Sequence, residues 1–162
     1  MKRINILVAA LVAAMVMVAG LLPSPSFGAD TFLRPAPDIL PQTVVEIQLK
    51  ALQANDSPVL DAGIEQTWIF AHPDNKRATG PLQRFTRLIK NDSYGVLLNH
   101  VSHKITSAGQ RDGVAAFAVE VTAKGGKSYG FRWFVKKVTE AGDEQDCWMT
   151  SSVSRPVLLD HG

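Results

Sequence analysis

The chain has 162 residues, with 17 Lys+Arg against 15 Asp+Glu and a single cysteine. That length suffices for one domain with its own core, and a lone cysteine excludes an internal disulfide. Lys2 and Arg3 are the only charged residues among the first 29, so the rest of the chain carries 15 basic and 15 acidic side chains. A balance of zero excludes a global pull toward polyanions such as nucleic acid.

In chain order, residues 1–29 read as a secretory signal peptide. Lys2 and Arg3 form the positive start, an apolar run extends from Ile6 to Leu22, and Pro23, Pro25 and small residues follow. Cleavage would follow Gly28 or Ala29. The alternative is an uncleaved anchor helix, the one arrangement that would bring membrane contact. Export implies the periplasm, a thylakoid lumen or secretion. Residues 30–40 read as a proline-rich linker.

A first helix is expected from Pro41, with Val45, Leu49 and Leu52 on one stripe. Ser57-Pro58 would open a second, running through Leu60 and Ile64 to Trp68. His72 to Pro81 reads as a loop, and Gly80-Pro81 as the start of a third helix that buries Leu82, Phe85 and Ile89. The period then changes to two. His100–Ser107, Val114–Ala123, Ser128–Val138 and Asp146–Val153 read as strands separated by turn-rich GQRDG, KGGK and TEAGDEQ. Short turns make neighbouring strands antiparallel, hence an α+β domain over 41–155: about three N-terminal helices packed on a four-stranded meander, with 156–162 a tail.

The stretch SYGFRWFV, preceded by Lys127, is similar to the signature strand of RNA-recognition modules. The element order is wrong for that fold, because a turn and another strand follow instead of a helix. Alternation also puts Tyr129, Phe131, Trp133 and Val135 on one face, as expected of a sheet face covered by helices. No nucleic-acid partner is expected.

The blocks VVEIQLKALQANDSP, WIFAHPDNKRATGPLQRFTRLIKNDSYGVLLNH and DCWMTSSV give the chain a resemblance to the family called Domain of unknown function 4864. The resemblance spans roughly Pro41 to Val153. It implies the curved cone fold of nuclear transport factor two and the ketosteroid isomerases, a cystatin-like arrangement of helices on a sheet, and it implies no particular activity.

A curved sheet over helices leaves a cavity, the default place for a ligand. With a two-residue Gly125-Gly126 turn, Glu120 would lie opposite Phe131 and Ala118 opposite Trp133; a carboxylate among aromatics could act as a general base. In another register Glu120 is a solvent-facing strand residue. His72, Asn75 and Arg84 are lining candidates from the loop and the third helix, where a His-Pro-Asp run otherwise makes a plain turn. Trp68, Tyr94, Phe131, Trp133 and Trp148 would line an apolar pocket or fill the core. Cys147 beside Trp148 reads as a packed thiol. His100 and His103, three apart on a strand, would face opposite sides and could not share an ion, so neither metal nor cofactor is expected. In the assumed register both sheet faces carry apolar groups, Phe117, Val119 and Phe134 on one and Phe131 and Trp133 on the other, which suggests a homodimer through the uncovered face. Three functions fit: a binder of a small apolar molecule, an acid–base isomerase or dehydratase using Glu120 or His72, and a structural or interaction module.

Overall fold

The computed structural model describes residues 32–160. The signal-peptide assignment and the first residues of the linker lie outside them. Five elements precede the sheet: α1 (Pro41–Gln53), α2 (Ala62–Ile69), α3 (Pro73–Thr79), α4 (Leu82–Ile89) and a single 3-10 turn at Gly95–Leu97. Five strands follow, β1 (Ser102–Arg111), β2 (Val114–Thr122), β3 (Ser128–Lys137), β4 (Trp148–Val153) and β5 (Val157–Leu159). Among the described residues no helix is long and apolar enough to cross a membrane.

α1 starts at Pro41 and buries Val44, Val45, Gln48, Leu49 and Leu52, positions three and four apart that share one helix face. α2 begins at Ala62, later than the Ser57-Pro58 start expected from sequence, because Asn55 organises the turn between the helices. Its Oδ1 accepts from the Ile64 N–H at 3.1 Å, its carbonyl accepts from the Gly63 N–H at 2.9 Å, and its Nδ2 donates to Asp56 and Asp61. A Cβ on Gly63 would stand 2.1 Å from the Ala51 carbonyl oxygen, so α1 and α2 touch backbone to backbone at this glycine.

The stretch expected as a loop is the helix α3. Pro73 takes the first position, Asp74 lies in the first turn, and Lys76 and Arg77 lie in the last, an arrangement that suits the helix dipole. Among the described residues there are thus four α-helices where three were expected. In α4 Phe85 and Ile89 are buried and Leu82 is partly so.

The sheet order is β1-β2-β3-β4, all antiparallel, with β5 pairing β3 beside Ser128–Gly130 while β4 occupies the Trp133–Lys137 half. β5 lies in the stretch expected to be a tail. Ser154 makes the step between the two segments: its N–H donates to the Arg132 carbonyl at 2.9 Å, and its Oγ accepts from the Arg132 N–H at 2.9 Å. Register shifts at Ser107/Gly109 and Phe134/Val135 bend the meander. The α-helices cover one face, where Val119, Val121, Phe131, Trp133 and Val135 join the α1 stripe in a single core.

The β2–β3 hairpin differs from the expected register. Thr122 pairs with Ser128, the Gly126 N–H donates to the Ala123 carbonyl, and Gly126 has φ 78°. This is a three-residue loop ending in a left-handed glycine, not a two-residue turn. The odd loop shifts every pairing by one: Glu120 lies opposite Gly130 and Ala118 opposite Arg132. Phe117 and Val119 consequently face Trp133 and Phe131 on the helix side. The other face holds Lys104, Thr106, Ala118, Glu120 and Arg132 along a shallow groove, with Phe134 opposite Ala116. Phe117, Val119, Phe131 and Trp133, expected to be split between two faces, are on one, and Phe134 is on the other.

Candidate functional site

A cavity of about 110 Å³ lies between α1, the α3–α4 pair and the β3–β4 edge. Its apolar wall includes Leu52, Phe85, Leu88, Ile89, Leu97 and Val153, and its floor is polar. There Gln48, Trp133 and Thr150, each nearly inaccessible to solvent, form a closed triangle. The Trp133 Nε1–H is shared between Thr150 Oγ1 at 3.0 Å and Gln48 Oε1 at 3.2 Å, and the Thr150 hydroxyl donates to Gln48 Oε1 at 2.5 Å. The Gln48 Nε2 donates to the Thr67 carbonyl at 2.9 Å. Only one orientation of the amide satisfies two donors on one side and a carbonyl on the other.

That last bond explains why Gln48 belongs in an apolar stripe. The last carbonyls of α2 have no partner within the helix. Thr67 O accepts from Gln48, Trp68 O from the Ala71 N–H, and Ile69 O from Lys76 Nζ. Beyond the helix, Phe70 O accepts from the Thr150 N–H and the His72 N–H donates to Thr150 O, tying the exit of α2 to β4 as a short parallel bridge. The floor is therefore built by the end of one helix, the middle of another and two strands.

The mouth carries neutral polar groups. Asn75 Nδ2 donates to Thr150 O at 3.1 Å, the Thr79 hydroxyl donates to the Asn75 carbonyl at 2.8 Å, and the Tyr94 hydroxyl donates to Val153 O at 3.3 Å. Tyr94 is the one ionisable side chain of the lining.

Of the residues expected to form the site, Asn75, Tyr94 and Trp133 come together here. Trp68 stands behind the wall, packed at a tilt against Phe85 with ring centroids 5.0 Å apart. Phe131 is buried in the core opposite Val119. Trp148 lies at the sheet edge under Lys137, and Arg84 is exposed on α4. Glu120 lies on the opposite face of the sheet, so the expected placement beside Phe131 is replaced by a position remote from this cavity. His72 is fully buried but does not line the cavity. Its Nδ1 accepts from the Asp74 N–H at 3.1 Å, capping α3, and its Nε2 has no hydrogen-bond partner among the described residues. Burial pushes its pKa below the usual imidazole value, more than the nearby Asp74 carboxylate raises it.

Sequence reasoning missed Gln48, Thr150, Thr67 and Thr79. Gln48 had a usable signal: it sits four residues before Leu52 and four after Val44, a polar group in the middle of a buried stripe. Thr150 lies inside the DCWMTSSV block but carried no spacing that pairs it with α1.

His100 and His103 also differ from expectation. β1 begins at Ser102, and Asn99 turns the chain with φ 53°, so the two rings are not strand neighbours of opposite facing. His100 Nε2 and His103 Nδ1 are 2.7 Å apart, and His100 Nδ1 contacts Leu97 O at 2.7 Å. Because a carbonyl only accepts, His100 donates from Nδ1 and takes a hydrogen bond at Nε2 from His103. Burial lowers both pKa values, and in His103 the neighbouring His100 lowers it further. Cys147 is buried, which raises its thiol pKa, with Glu144 and Asp146 adding to the effect.

Comparison with protein-family models, with curated proteins and with solved structures finds no match.

Proposed function

We propose that the protein binds a small, uncharged, mostly apolar molecule in the cavity between its helices and its sheet. The carrying observation is the composition of the lining: a predominantly apolar wall, a floor of mutually satisfied neutral groups, and Tyr94 as its one ionisable side chain. Dispersion and the hydrophobic effect favour an apolar guest there, whereas a charged guest would lose hydration without a counter-charge. The volume, about 110 Å³, is below that of a site for a drug-sized ligand and near that of an engineered cavity of about 150 Å³ that takes benzene. A single ring with at most one hydroxyl or carbonyl fits these dimensions, its polar group directed to Asn75, Thr79 or Tyr94 at the mouth.

An acid–base reaction in this cavity is less well supported, because it needs a titrating group against the guest and neither Glu120 nor His72 lines the wall. For the fold we favour the cone architecture of nuclear transport factor two and membership of the Domain of unknown function 4864 family. Helices followed by a bent antiparallel meander support this, together with the sequence blocks that carry the resemblance. Export by the segment 1–29 belongs to the same proposal. Native mass spectrometry of the protein purified from its own source tests the binding reading. A single uncharged small molecule released on activation, and lost in an Ala71→Leu variant that fills the cavity, is the expected outcome. An empty chain in both, with no uptake of added phenol, would overturn it.

A further inference from the structure

One wall of the cavity is held almost entirely by polar contacts, and its cap exists in only one protonation state. α3 carries Asn75 and Thr79 on the lining, yet none of its seven residues is buried. A helix of that length does not persist on its own. It is fastened by the His72 N–H to Thr150 O at 2.8 Å, Asn75 Nδ2 to Thr150 O at 3.1 Å, Lys76 Nζ to Ile69 O at 3.3 Å and Lys136 Nζ to Asp74 Oδ2 at 3.2 Å. Lys76 Nζ also donates to Glu144 Oε1 at 3.2 Å, and the cap is a further fastening, the Asp74 N–H donating to His72 Nδ1. A ring nitrogen that accepts carries no proton, so His72 is neutral with its hydrogen on Nε2. That Nε2 is buried without a partner among the described residues, an unusual arrangement for a polar group in a folded interior.

We propose that His72 is a proton-operated latch on α3: neutral, it caps the helix and closes the cavity mouth, and protonated, it releases the Asp74 amide and frees the wall bearing Asn75 and Thr79. A proton on Nδ1 removes the acceptor on which the cap depends. The nearest alternative is Asp74 Oδ2, 3.4 Å from Nδ1, and that oxygen already accepts from Lys136 while the other oxygen of the carboxylate accepts from Arg77. The charged groups that act on the ring are Asp74 and Arg77 of α3, Lys136 of β3 and Glu140 in the β3–β4 loop. The two carboxylates outweigh the two cations, but burial opposes the imidazolium more strongly than the carboxylates favour it, so the charge is accommodated by opening. Burial keeps the ring neutral until the pH lies below the ordinary imidazole range. The latch itself stands on the geometry of α3; its consequence for a guest rests on the binding reading above.

The test is amide hydrogen exchange of the uniformly 15N-labelled chain between pH 8 and pH 5, with and without phenol, for wild type and His72→Asn. Asparagine keeps a cap acceptor that does not titrate. In wild type the protection factors of the Asp74 and Lys76 amides are expected to be about fivefold lower at pH 5 than at pH 8, the factor that loss of a typical cap produces. In His72→Asn they should not, although His100 and His103 still titrate. Phenol should bind wild type about fivefold more weakly at pH 5 than at pH 8. Equal behaviour of the two chains, or a wild-type α3 that stays protected to pH 5, overturns the latch. Should the variant fail to fold, the 15N shifts of the wild-type ring decide: Nδ1 protonated at pH 8 overturns it, and Nδ1 bare at pH 8 with α3 opening as it gains a proton supports it. If α3 opens with acid but phenol never binds, the latch stands and the binding reading fails. If phenol binds equally at both pH values, binding stands and the latch fails as its regulator.

Discussion

Replacing Gln48 by leucine removes the polar hub of the cavity floor while nearly preserving its volume. Three hydrogen bonds involve this side chain: two donors converge on its Oε1, and its Nε2 donates to the Thr67 carbonyl. In Gln48→Leu the Trp133 Nε1–H keeps Thr150 Oγ1 at 3.0 Å and is satisfied. The Thr150 hydroxyl loses its acceptor, and the Thr67 carbonyl loses the donor that closed the end of α2. Each buried group left unpaired costs about 1–3 kcal/mol, against which the more apolar leucine returns part of a side-chain transfer energy. The net loss expected is about 3 kcal/mol, or roughly a 10 °C fall in Tm for a domain of this size. Thr150→Val is the informative partner. If the two groups act as one network, the double variant loses less than the sum of the single losses, by about 1–2 kcal/mol. Urea unfolding followed by tryptophan fluorescence measures all four chains. A Gln48→Leu loss under 0.5 kcal/mol, or strict additivity of the pair, would refute the network reasoning.

Gly63→Ala should destabilise by about 3 kcal/mol, since its Cβ would meet the Ala51 backbone rather than a movable side chain; the same unfolding assay checks it, and a neutral result would mean that α1 and α2 do not touch there. Asn55→Ala should cost about 1–2 kcal/mol through the lost bond to the Ile64 N–H, and circular dichroism should show helix lost with it. Stability should also fall on acidification. Burial lowers the pKa of His72, His100 and His103 in the folded state, so near the ordinary imidazole pKa of about 6.5 the unfolded chain binds more protons. The stabilisation is full above that value and is lost as pH falls through the folded pKa values. The urea midpoint at pH 5 should therefore lie below that at pH 7.5, and an equal or higher midpoint would contradict the assignment.

The helical stripes and the strand order were legible because burial imposes periods of 3.6 and 2 on the sequence. Val45, Leu49 and Leu52, and Tyr129 through Val135, announce their faces directly. α3 was not legible, because no apolar stripe marks a helix that buries nothing; Pro73, Asp74 and the late Lys76 and Arg77 were the signals, masked by a composition rich in turn formers. The Glu120 register turned on a single residue in the Lys124–Gly126 loop, where GG permits both two- and three-residue turns, and one residue exchanges the faces of a strand. The cavity was half legible. Aromatics such as Trp133 mark an interior, but the partners of its N–H, Gln48 and Thr150, lie 85 and 17 residues away in sequence. Spacing carries no trace of contacts at those separations, whereas a glutamine within an apolar stripe does invite the question of what it bonds.

The indole N–H of Trp133 sits in the cavity floor and reports on its contents. Titration of the 15N-labelled protein with phenol at pH 7.5, with benzoate as a charged counterpart of similar size, shows whether the cavity takes an uncharged apolar guest. A saturable shift of the Trp133 indole signal is expected with phenol, a much weaker one with benzoate, and neither in Ala71→Leu. An unmoved Trp133 signal at millimolar phenol, or benzoate binding there as well as phenol does, would contradict it.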